Sequence, residues 1–183
     1  MKKMFLLATL AVIFLVAGCE NSPVNFSPEG KVSVPFGQAY NYDDILVVRA
    51  VDGDTLKLEN GERVRLIGID TPEVYESTKL YRDSKKSGQN IKAIQALGKR
   101  SSKFTRDLVE GKRVRLEFDL EKRDKYKRLL AYVYLKDGIF VNAEIVKQGY
   151  ASLMTYPPNI KYVDTFKKLY QEARVNNRGL WKE

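Results

Sequence analysis

The chain has 183 residues, with 32 Lys and Arg against 23 Asp and Glu, one cysteine and no histidine. The missing histidine excludes hydrolysis by a histidine base and metal centres built on imidazole. The single cysteine excludes an internal disulfide, and the net charge of +9 favours a polyanionic partner such as nucleic acid or an anionic membrane surface.

The N-terminus reads as a targeting segment. Met1-Lys2-Lys3 is a short positive region, and Phe5 to Ala17 is an apolar run of about 13 residues, short for a membrane span. The run ends in Leu15-Val16-Ala17-Gly18-Cys19, which resembles the lipobox of bacterial lipoproteins. Residues 1–18 are therefore expected to be a removable signal peptide, with Cys19 lipid-modified as a membrane anchor. An ordinary signal peptide with an incidental cysteine is the alternative. Without residues 1–18 the balance is 30 basic against 23 acidic side chains, still a net +7. Residues 19–42 hold Pro23, Pro28, Pro35, Gly30 and Gly37 with little periodicity and read as a flexible tether. Residues 43–183 are left as one domain, long enough for one ordinary core.

The domain opens with a β-branched strand, Ile45 to Val51. Asp52-Gly53 and Asn60-Gly61 are hairpin turns, so Thr55–Glu59 and Glu62–Ile69 complete a three-stranded meander. Val74 to Asn90 is polar and reads as a mobile loop. A helical pattern follows from Ile91 to Val109, with Gly98 as a candidate break and Lys99–Glu110 as the main helix. Arg113–Phe118 and Leu129–Leu135 read as strands. A short helix is expected over Val141–Gln148, capped by Asn142 or the residue before it. Phe166, Leu169, Tyr170 and Ala173 share one face of a last helix. The predicted class is α+β: a five-stranded OB-fold β-barrel with three α-helices.

The chemistry concentrates in residues 51–73. Asp52, Asp54, Asp70 and Glu73 surround one arginine, Arg65. Clustered carboxylates suit a hard cation such as calcium, and the guanidinium fork suits a phosphate. Each part also has a plainer role, Asp52-Gly53 as a turn and Pro72 as a strand terminator. Arg65 and Asp70 have opposite parity, so an unbroken strand would send them to opposite faces. A shared site requires a bulge or break between them, expected at Gly68. A second basic run, Lys122 to Arg128, places Arg128 just before a strand and Tyr126 as a possible stacking ring.

These segments resemble the staphylococcal-nuclease-like (thermonuclease) family. The resemblance rests on VDGDTLKL at 51–58, VRLIGIDTPE at 64–73, FTRDLVEGKRVRLEFD at 104–119, DKYKRLLAYVYLKDGIFVNAEIVKQGYA at 124–151 and RGLW at 178–181. It implies an OB barrel that cleaves DNA and RNA with Ca2+ and leaves 3′-phosphates. It further implies that Asp54 and Asp70 bind calcium by carboxylate and Thr71 by its backbone carbonyl. Glu73 would be the general base, Arg65 and Arg128 would hold the scissile phosphate, and Lys125 and Tyr126 would line the nucleotide pocket. Tyr156 is the nearest candidate for a second pocket tyrosine. Two departures stand out: the segment after Glu73 is longer by about a dozen residues, and Lys127 replaces a usual glycine. The expected protein is an exported, lipid-anchored monomer with no protein partner. The rivals are a non-catalytic OB-fold surface lipoprotein that binds nucleic acid and an adhesive lipoprotein that binds envelope polyanions.

Overall fold

The computed structural model describes residues 31–32 and 40–182. The expected signal peptide and Cys19 lie outside the described residues. Strands β1 (Lys31–Val32) and β2 (Tyr40–Asn41) form a small antiparallel ladder within the span read as a tether.

The barrel is built from β3 (Ile45–Ala50), β4 (Thr55–Leu58), β5 (Arg63–Leu66), β7 (Arg113–Glu117) and β8 (Leu129–Leu135), closed in the order β3-β4-β5-β8-β7. The meander β3-β4-β5 forms as its two turns require. All ladders are antiparallel except β5 with β8, where Arg65 pairs with Leu130. Strand β8 is buried on both faces. Leu129, Ala131, Val133 and Leu135 enter the barrel core, while Leu130 and Tyr132 join a second cluster with Ile67 and Phe166. This is the period of two in a strand with a partner on each side.

The run read as one strand, Glu62–Ile69, is divided. After β5 the chain leaves the barrel, and β6 (Gly68–Asp70) pairs with β9 (Ser152–Met154) instead. Gly68 has φ +84°, and an added Cβ would lie 2.4 Å from the Phe166 ring. Only glycine combines that dihedral with that packing. The break releases the Ile67 carbonyl from the barrel ladders, and Asn142 receives it. Its amide donates to Ile67 O at 2.9 Å, and its oxygen accepts from Val133 N at 3.0 Å. Asn142 is therefore a fully buried strut and not the helix cap expected of it; Phe140 takes the cap position without a side-chain bond.

The described residues hold four α-helices where three were expected: α1 (Thr78–Ser87), α2 (Ile91–Val109), α3 (Val141–Lys147) and α4 (Val163–Val175). The extra one, α1, occupies the segment read as a loop. The Ser77 hydroxyl accepts from Leu80 N, and Gly88 closes the other end in the left-handed conformation. Leu80 is its only buried residue, so the segment lacks the apolar stripe that signals a helix. Helix α2 runs unbroken through Gly98. A Cβ there would stand 2.5 Å from the Glu73 carbonyl oxygen and 2.7 Å from that of Pro72. Gly98 permits a close approach and does not end the helix. Two hydroxyls of α2 then fix the turns beside it: Thr105 Oγ1 donates to Gly53 O and Ser101 Oγ to Tyr150 O, both at 2.7 Å.

Candidate active site

The turn between β3 and β4 presents Asp54. Asp52 shapes this turn, accepting from Asp54 N at 3.0 Å. Burial, with the neighbouring Asp54 carboxylate second, pushes the Asp52 carboxyl up to about 6. Asp54 is 6% exposed, and its Oδ2 accepts from Thr71 N at 2.9 Å and Thr71 Oγ1 at 3.0 Å. These bonds tie the first hairpin to the exit of β6.

Arg65 stands opposite Thr55 on the β4–β5 ladder and reaches both aspartates. Nη1 lies 3.0 Å from Asp54 Oδ2, and Nη2 lies 3.0 Å from Asp70 Oδ1. The break at Gly68 lets Asp70 turn to the side of Arg65, as the parity argument requires. The Arg65 side chain is 13% exposed. Nη2 also lies 3.7 Å from Met154 Sδ, supplied by β9.

Arg128 arrives from the start of β8. Its Nε donates to Asp124 Oδ2 at 2.7 Å, and its Nη1 lies 3.5 Å from Thr55 Oγ1. Thr55 Oγ1 in turn donates to Asp54 Oδ1 at 3.2 Å, so the second arginine joins the cluster through one hydroxyl. Lys127 holds the preceding turn at φ +64°, a left-handed conformation that a glycine would take without strain. Lys127→Gly is expected to leave cleavage intact and to raise stability by up to about 1 kcal/mol. Urea melts check this, and a loss of stability would show that the Lys127 side chain contributes more than its backbone costs. Tyr126 is 68% exposed, with Lys125 Nζ 5.0 Å and Arg128 Cζ 5.5 Å from its ring centre. Tyr156 is also exposed and bridges to Asn159; from this segment it is Met154 that meets Arg65.

Sequence reasoning missed Lys79. Its ammonium, carried by α1, lies 2.9 Å from Thr71 O, 3.1 Å from Glu73 Oε1 and 3.2 Å from Asp70 Oδ2. Burial pulls its pKa down, but Asp70 and Glu73 more than reverse this and leave it above the ordinary lysine value. Burial, aided by repulsion from Asp54, raises Asp70 despite the nearby Lys79 and Arg65. The only sequence signals for this lysine were the capping residues Ser77 and Gly88, which bracket its helix.

Among the described residues, no three Asp, Glu, His or Cys side chains form a ready-made metal cluster. Arg65 and Lys79 stand among the carboxylates instead. The donor set is nonetheless all oxygen, two carboxylates and a carbonyl beside Glu73, and two of its members, Asp70 and the Thr71 carbonyl, already hold one cation, the Lys79 ammonium. That chemistry fits a hard divalent ion.

The molecule is thus an OB-type barrel with acidic groups and two arginines gathered at β3–β4, β5–β6 and β8. The Staphylococcal nuclease homologue family model matches residues 63–183. The thermonuclease of Staphylococcus intermedius is 39% identical over 142 residues, 76% of each chain. The thermonuclease of Staphylococcus hyicus is 31% identical over 180 residues, covering 94% of this chain and 96% of that protein. The SPbeta prophage-derived endonuclease YokF of Bacillus subtilis is 41% identical over 143 residues, 75% of this chain but 44% of that protein. The chain belongs to the staphylococcal nuclease family, and these relatives are nucleases.

Proposed function

We propose that the protein is a calcium-dependent nuclease that hydrolyses DNA and RNA and leaves 3′-phosphates. The observation that carries this is the linked set Asp70–Arg65–Asp54–Thr55–Arg128. It brings two arginines and two carboxylates together from three separate segments. In this reading Asp54, Asp70 and the Thr71 carbonyl hold Ca2+. When bound, the ion offsets the negative charge of the phosphodiester and of the attacking oxygen.

The remaining steps belong to the protein. Arg65 and Arg128 grip the non-bridging phosphate oxygens and strengthen that grip as charge builds in the transition state. Glu73 takes a proton from a water molecule and aims its oxygen at phosphorus. The bond from phosphorus to the 5′ oxygen breaks, so phosphate stays on the 3′ side. Arginine does not give up its proton near neutral pH, so the departing oxygen is protonated from solvent. The Tyr126 ring, with Lys125 beside it, offers a stacking face to a base and a charge to the backbone. Tyr156 belongs to the same pocket in this reading. The protein acts as a monomer held at the bacterial envelope by lipid on Cys19, residues 1–18 having been removed and residues 19–42 serving as the tether to the domain 43–183.

Cleavage of labelled DNA and RNA in calcium and in chelator tests the proposal. The wild type should cut only in calcium, and Glu73→Gln should lower kcat by roughly a hundred- to ten-thousandfold. The DNA products should fail to prime a polymerase until treated with phosphatase. Cleavage that persists in chelator and survives Glu73→Gln would overturn the mechanism.

A further inference from the structure

We infer that Lys79 is a tethered competitor for the calcium seat, a cation built into the chain that must leave before a divalent ion enters. The inference rests on the calcium reading of Asp54, Asp70 and Thr71. An ammonium has three protons to donate, and Lys79 has three close acceptors: Thr71 O, Glu73 Oε1 and Asp70 Oδ2. Two of these belong to the proposed calcium ligands, and the third is the proposed base. Docked Lys79 therefore blocks both metal entry and proton transfer. A lysine ammonium and a divalent cation repel each other and cannot share these oxygens.

The helix also carries a place for the ammonium to go. Asp83 lies one turn further on α1, and its Oδ2 is already 3.6 Å from Lys79 Nζ. A rotation of the lysine side chain exchanges Asp70, Thr71 and Glu73 for Asp83 without leaving the charge unpaired. Because Asp83 belongs to α1, this partner stays with Lys79 if the helix shifts. Only Leu80 anchors α1 by deep burial, so its hold on the barrel is light. The device makes the enzyme demand more calcium than its carboxylates alone would need.

Isothermal titration of the purified protein with calcium alone reads the competition directly. If the ammonium is docked nine-tenths of the time, Lys79→Met should bind calcium about tenfold more tightly than the wild type. Asp83→Asn removes the alternative partner and should bind several-fold more weakly. A second readout uses the wild type only: labelling of Lys79 by an amine-acylating reagent, followed by mass spectrometry, should speed up when calcium saturates the protein. Equal calcium affinity in wild type and Lys79→Met, or a Lys79 that stays protected at saturating calcium, overturns the competition and leaves the calcium site standing. No calcium binding by either protein, with cleavage continuing in chelator, overturns the calcium reading and this inference with it.

Discussion

Arg65→Ala is expected to lower kcat/KM by roughly a hundred- to a thousandfold, the usual cost of losing a donor aimed at the charge of the transition state. The same change should destabilise the fold. Arg65 spans Asp54 and Asp70 at 3.0 Å each, and Asp54 is almost fully buried. Removing one partner of a buried pair leaves an uncompensated charge, worth about 3–5 kcal/mol at full burial. The expected loss is smaller, about 2–3 kcal/mol, because Asp70 keeps Lys79 and Asp54 keeps its two bonds from Thr71. Arg65→Lys separates the two effects. A lysine restores one positive charge but not the fork that meets two carboxylates and, as proposed, a phosphate, so stability should return further than activity. Steady-state cleavage and urea melts of the three proteins measure this. An alanine variant within a few-fold of wild type would remove Arg65 from the chemistry, and full rescue by lysine would show that a point charge suffices.

Gly98→Ala is expected to destabilise the protein by about 1–3 kcal/mol, where the same change at an open helix position would stabilise it by about 1 kcal/mol. The reversed sign follows from the backbone of Pro72 and Glu73, whose carbonyl oxygens occupy the space a methyl group needs. Backbone atoms cannot swing aside like a side-chain tip, so α2 and the exit of β6 must part. Glu73, the proposed base, sits on that exit, and a displacement of the order of 1 Å at such a group can cost about a hundredfold in rate. Melts and kcat for Gly98→Ala and Gly98→Ser should therefore fall together. A stabilised variant with normal kcat would contradict the close approach.

The barrel was legible because its signals are local. Asp-Gly and Asn-Gly turns fix the meander, and alternation fixes which side of each strand is buried. The parity clash between Arg65 and Asp70 was also local, and Gly68 resolves it where expected. What was not legible depends on neighbours distant in sequence. Gly98 looks like a helix breaker until the Glu73 carbonyl is placed against it. Asn142 looks like a cap until β5 leaves β8 and frees the Ile67 carbonyl. Helix α1 carries one buried residue, Leu80, so no apolar period announces it, and Lys79 passed as one more charge in a polar stretch. Arg128 was assigned through resemblance, and its link to Asp54 through Thr55 emerges only when the barrel closes.

The parallel pairing of β5 with β8 has a consequence for how the molecule comes into being. Antiparallel neighbours joined by tight turns form early and cheaply, whereas a parallel pair must wait for an intervening stretch of about sixty residues to be ordered. Arg65 lies on one side of that seam, and Arg128 opens the other. A nascent chain emerging from its N-terminus can assemble the meander long before both arginines stand together. Hydrolytic competence should therefore appear only in the last cooperative step of folding, so that cleavage of a dye-labelled oligonucleotide during refolding doubles as a clock for closure of the seam.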